Sequence, residues 1–185
     1  MNVFEEMRKG KAYYISDPKY VADVLPEFNR CWRLCQVINA TDVRDQAKIK
    51  ELESELFQDK LADDTYLMPP FQIDAGCRVK LGKNVFANHD LNIMSLGTVT
   101  IEDGVMLGPE VAILTVNHEP KDIRLLHTKE IRIKKNAWIG ARVSILPGVT
   151  IGENAIVGTG SIVTKDIPDN CVAVGSPARV IKTID

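Results

Sequence analysis

Val79-Lys80-Leu81-Gly82-Lys83-Asn84 is followed by Val85-Phe86-Ala87-Asn88-His89-Asp90, and the same six-residue frame continues along the chain. It returns in blocks opening at Val99, Val105 and Val111, and again at Ala137, Val143, Val149, Ala155 and Ser161. Small or aliphatic residues fill the first and third places of each block, and Gly often takes the fourth. One block makes a short strand and its turn, so three blocks close one coil of a parallel β-helix. The expected fold class is therefore an all-β solenoid, a prism of stacked coils around an aliphatic core.

The frame breaks where chemistry is best sought. Register holds through Leu81, Ala87 and Ile93, slips by two residues to Ile101, and holds again through Leu107 and Ile113. The next in-register position is Ile133. A solenoid tolerates insertions at its corners, and such insertions usually carry function. This excursion, residues 117–130, holds two of the three histidines, His118 and His127.

Composition narrows the function classes. At 185 residues the chain can bury a sizeable core, and its net charge of −2 gives no basic excess to suggest a nucleic-acid partner. No stretch approaches the roughly 20 apolar residues of a membrane span. Met1 to Glu6 has neither the basic start nor the apolar run of a secretion signal. Cysteines 31, 35, 77 and 171 lack the paired spacing of a zinc site, and Cys31 and Cys35 lie one helical turn apart, as packing residues do. A reducing, cytoplasmic setting is expected.

Outside the repeat the chain divides simply. Residues 1–60 read as a helical segment: a short helix at Phe4 to Arg8 ended by Gly10, and a second from Pro26 to Ile38 with Phe28, Trp32, Cys35 and Ile38 as its apolar stripe. A third follows, capped by Thr41 or Asp42, with Ile49, Leu52, Leu56 and Phe57 inward and Glu53 on its polar face. This segment should cover the open end of the prism. The β-helix is expected over residues 61–166, and the 167–185 tail should fold back along the last coils.

Several residues invite a chemical role. His118 directly follows the strand Val111 to Val116, and imidazole exchanges protons near neutrality, which suits a general base. His89, His118 and His127 together could hold a catalytic zinc, but no flanking pattern orients them. Asn88 stands where other blocks have Gly, as a turn residue or an amide for a substrate oxygen. Cys77 has no activating neighbours in sequence and reads as wall packing. Thr164, Lys165, Arg179 and Lys182 suit either a phosphorylated ligand or a solvated tail. The Walker-type G-x-x-x-x-G-K-[ST] loop is absent.

Taken together, these motifs resemble the hexapeptide-repeat O-acetyltransferases, in particular the maltose and galactoside acetyltransferases. The resemblance runs through the Pro69-Pro70-Phe71 junction, Val85 to Asn88, Trp138-Ile139-Gly140 and Pro147 to Gly152. It continues through Val163 to Pro168 and ends in Gly175 to Ile181. It implies a left-handed β-helix, a homotrimer, and acetyl-CoA bound in a cleft between neighbouring prisms, with no metal. His118 falls on the family's general base, which takes the acceptor's hydroxyl proton during direct attack on the thioester. Cofactor contacts map onto Ala141, Thr159, Thr164, Lys165, Arg179 and Lys182, and acceptor contacts onto Asp74 and Asn88.

The acceptor half departs from the family pattern. Tyr14 stands where sugar-acetylating members usually carry an aspartate, and Met94-Ser95-Leu96 replaces a stretch that normally holds one. Tyr14 and Leu96 are thus expected to contact a rebuilt acceptor site. The expected function is acetyl transfer to a hydroxyl of a small acceptor, a sugar by family habit. The alternatives are a γ-type carbonic anhydrase using the three histidines and a scaffold without chemistry.

Overall fold

The computed structural model describes residues 1–184. From Tyr66 onward the chain winds as a left-handed parallel β-helix. Its first wall stacks Tyr66–Leu67, Phe86–Ala87, Met106–Leu107, Trp138–Ile139, Ile156–Val157 and Cys171–Gly175. The second stacks Phe71–Ile73, Leu91–Met94, Ala112–Leu114, Ser144–Ile145 and Ile162–Val163. The third stacks Val79–Leu81, Val99–Ile101, Ile131–Ile133 and Thr150–Ile151, extended by a bridge from Ile151 to Ile167.

Each wall sends one residue column inward. Ile73, Ile93, Ile113, Ile145 and Val163 line up along the second wall with essentially no solvent contact. A buried side chain of this size contributes roughly 1.5–3 kcal/mol through loss of apolar surface to water. That gain fixes register, because a one-residue slip would turn every column outward. The two-residue slip seen in sequence lies at the second-to-third corner, where Ala75, Ser95 and Thr115 are buried. Their hydroxyls satisfy the widened turn: Ser95 donates to the Ala75 carbonyl, and Thr115 accepts from the Gly97 amide at 2.8 Å.

Three helices precede the prism: α1 (Val3–Arg8), α2 (Pro18–Ala40) and α3 (Gln46–Phe57). Helices α2 and α3 cover its open end as expected, sharing one core with Leu67, Phe71 and Ile73. The Asn39 side chain pins α2 by bonding both the amide and the carbonyl of Phe71. Gly76 is required under α3, since a Cβ there would lie 2.0 Å from the Leu56 carbonyl oxygen. Cys31 and Cys35 are free and buried in this contact, as packing residues.

Several expectations need correction. Helix α2 starts at Asp17-Pro18 rather than Pro26, because Asp17 caps it by accepting from the Lys19 amide and Pro18 suits a first turn. Its buried stripe is Tyr20, Val24, Cys31, Leu34, Cys35 and Ile38, which leaves Trp32 39% exposed. Helix α3 is capped by Asp45, not Thr41 or Asp42. Glu53, expected on its polar face, is buried. Cys77 is exposed rather than packed in the wall. The prism also outruns residue 166, because Ile156 and Val157 pair in parallel with Val172 and Ala173. Only then does the chain reverse, into the antiparallel edge strand Ala178–Thr183.

The excursion is ordered structure rather than an irregular loop. Val116–Glu119 and Asp122–Thr128 form an antiparallel hairpin, and Tyr13–Tyr14 pairs with its outer edge. A second core fastens this sheet to the prism: Tyr13, Tyr20, Val24, Ala75, Leu96 and Leu126 pack together.

Two predictions follow from these interiors. Leu96→Ala should lower unfolding free energy by about 2–5 kcal/mol in urea titration, since Leu96 is fully enclosed. A change below roughly 0.5 kcal/mol would show that the second core does not hold the hairpin. Burial raises the Glu53 carboxyl to about 7, and one of its oxygens has no partner. An acid whose pKa is raised by folding loses stability as pH climbs from its unfolded value towards 7, by about 3 kcal/mol at full ionisation. Glu53→Gln should therefore raise Tm at pH 8 and leave it nearly unchanged at pH 4; an equal shift at both would contradict this.

Candidate active site

The hairpin positions His118 opposite Leu126, and Asn117 opposite His127. Leu126 is held in the second core, so His118 stands on a fixed support although it is itself exposed. The His118 Nδ1 faces the Ile123 carbonyl across the hairpin turn. A carbonyl only accepts, so Nδ1 carries the proton and the neutral ring keeps its lone pair on Nε2. This is the tautomer and orientation that a general base requires. Sequence reasoning missed Ile123, because a backbone carbonyl leaves no mark in residue type.

His118 lines a cleft of about 1040 Å³ between the hairpin and the third wall. Arg8, Lys9, His127, Lys129 and Gly148 contribute to the same cleft. Nε2 of His127 lies 3.3 Å from a Glu119 carboxylate oxygen without aligning for a hydrogen bond. His89 stands apart, at the corner between the first and second walls, with Nδ1 2.7 Å from Asp90. The three histidines thus do not converge within one chain. Among the described residues, no group of three His, Cys, Asp or Glu side chains is placed to hold a metal.

The residues expected at the site fall on two edges of the prism. Asn88, Ala141 and Thr159 each follow a first-wall strand and so line the edge between the first and second walls. Asn88 is stacked below Gly108, Gly140 and Gly158. A Cβ on Gly140 would lie 2.7 Å from the Thr159 amide nitrogen, which explains the repeated glycine. Arg179 pairs with Val174 and Lys182 with Val172, so both share the outward face of the first wall with Met106 and Trp138. His118, Thr164, Lys165 and Asp74 instead follow second-wall strands, on the edge between the second and third walls.

The acceptor residues fare unevenly. Leu96 is 2% exposed inside the second core, so its side chain does not reach the surface where an acceptor would bind; its column turns inward at the widened corner. Tyr14 is exposed on the strand that pairs with the hairpin's outer edge. Asp74 is half-buried and accepts a hydrogen bond from Trp32 Nε1 at 2.8 Å. Burial pushes its carboxyl above the usual range, and the Trp32 bond opposes that rise.

Comparison with known proteins agrees with this architecture. Residues 130–165 match the family model for the bacterial transferase hexapeptide (six repeats). The galactoside O-acetyltransferase of Escherichia coli is 37% identical over all of this chain and 91% of that protein. A maltose O-acetyltransferase from Clostridium difficile has the same fold, with a TM-score of 0.91 at 35% identity, over 100% of this chain and 98% of that one. A galactoside acetyltransferase crystallised with coenzyme A gives 0.90 at 35% identity, over 100% and 92%. An acetyltransferase of Vibrio cholerae complexed with acetyl-CoA gives 0.88 at 29% identity, over the full length of both. With relatives more than 30% identical over the full length of this chain, and the same fold over that length, the chain belongs to the hexapeptide-repeat acetyltransferases.

Proposed function

We propose that this protein transfers the acetyl group of acetyl-CoA to a hydroxyl of a small sugar-like acceptor, with His118 as general base. The observation that carries this reading is the bond between His118 Nδ1 and the Ile123 carbonyl, which leaves Nε2 free beside the cleft. Nε2 removes the hydroxyl proton as the oxygen attacks the thioester carbonyl. The imidazolium then returns that proton to the departing CoA sulfur, so charge and protons balance in one turnover. The amide of Asn88, whose own oxygen accepts from the His89 amide, supplies a donor for the developing oxyanion. Lys165, Arg179 and Lys182 supply cations for the CoA phosphates.

The division of these residues between two edges supports assembly from more than one copy. We read the protein as a cytoplasmic homotrimer in which the Asn88–Ala141–Thr159 edge of one prism faces the His118 edge of the next. The outer face of the first wall fits such burial: Met106 is 52% and Trp138 53% exposed in the isolated chain, an apolar strip unusual for a surface. Closed cyclic symmetry would place three identical sites at three identical interfaces.

Two measurements test this. CoA thiol release with a sugar panel should fall by roughly 10²-fold or more in His118→Ala; retention within a few-fold would remove His118 as the base. Sedimentation should give a mass near three chains, and Trp138→Glu should yield monomers that keep the β-sheet circular dichroism spectrum but lose turnover. An active monomer would overturn the composite site.

A further inference from the structure

The contact between α2 and the first coil ends at the surface in a polar and aromatic cluster. Trp32 is exposed on α2, its ring 5.6 Å from Phe28. Among the described residues, it is the one hydrogen-bond partner of the Asp74 carboxylate. Asp74 continues the Ile73–Ile93–Ile113 register outward, in one column with Met94, which is 40% exposed. Two positions back along the same strands stand the paired residues Gln72 and Asn92, whose amides also face outward. An indole face, a thioether, a carboxylate and two amides therefore share one strip of surface. That strip lies on the second wall, whose later coil leads directly into the His118 hairpin.

We propose that Trp32 is a specificity-determining platform for the acceptor, which lies with its apolar face on the indole and its hydroxyls on Asp74, Gln72 and Asn92. This extends the acetyl-transfer reading, on which it rests for the identity of the ligand as an acceptor. The ligand class follows from the chemistry. A pyranoside has one face of C–H groups, which is stabilised by burial against an aromatic ring. Its ring hydroxyls can donate to a carboxylate and both donate to and accept from amides. A glycoside with an apolar aglycone gains further from Met94 and Phe28.

The test is calorimetric titration of the intact protein with 4-nitrophenyl β-D-galactoside and with methyl β-D-galactoside, in the absence of acetyl-CoA. Wild type should bind both saturably, the aryl glycoside more tightly. Trp32→Ala should weaken the aryl glycoside by about 10-fold or more, as loss of an aromatic stack does. Trp32→Phe should restore most of that affinity while losing the bond to Asp74, and KM for acetyl-CoA should stay unchanged throughout. Equal affinity of wild type and Trp32→Ala would overturn the proposal, as would the absence of saturable glycoside binding to wild type. A purely structural Trp32 would lower Tm in both variants and leave affinity alone. Because binding is read without turnover, wild type that binds but transfers no acetyl group would sink the activity reading and leave Trp32 as a glycoside platform, no longer that of an acetyl acceptor.

Discussion

Every coil of the prism is tied to the next by backbone hydrogen bonds that run along its axis, and those bonds persist only while three aliphatic columns stay inward. That constraint places everything else. A residue's site is fixed by its coil and by its position within the coil, so groups distant in sequence come to share an edge. Asn88, Ala141 and Thr159 are gathered in this way without any local signal. The same constraint pushes variation outward, to corners and ends, where the hairpin, the capping helices and the edge strand are attached.

The hairpin shows how a rigid wall can carry a reactive group. Leu126 and Tyr13 hold the hairpin in the second core, and the Ile123 carbonyl holds the imidazole. The placement of the proposed base is thus inherited from packing, with few degrees of freedom left to freeze during reaction. The cations proposed for the cofactor phosphates are built differently. They extend from the exposed edge strand and from a corner, where long side chains can adapt to a phosphorylated ligand. Arg179 and Lys182 lie on the outer face of the first wall, away from the His118 edge, whereas Lys165 shares that edge. The proposed trimer is what would bring the first pair to a neighbour's His118.

The repeat is fully legible in sequence, because each hexad states its inward residues and its turn in a fixed order. The excursion is legible as a location but not as a hairpin: Asn117 to Thr128 has no strict alternation, and its pairing with Tyr13–Tyr14 joins residues far apart along the chain. Asp17-Pro18 is a stronger helix start than Pro26, and weighing the cap above the proline finds it. Leu96 and Glu53 escape for a shared reason. Their burial is imposed by partners from other segments, which override the local polar or apolar pattern. Helical spacing from Phe28 draws Trp32 into the core stripe, whereas the true stripe runs one residue earlier through Cys31. Only the fold shows that the exposed indole meets Asp74.

The central claim is that one working site draws His118 from one chain and Asn88 from its neighbour. It is tested most directly by mixing His118→Ala and Asn88→Ala subunits after unfolding and refolding them together. Each variant alone should be nearly inactive. In a closed trimer every mixed assembly keeps one interface with both groups intact, so an equal mixture should recover about a quarter of wild-type CoA release. Activity no greater than the average of the two variants would place both groups in a site within one chain and contradict a site shared between neighbours.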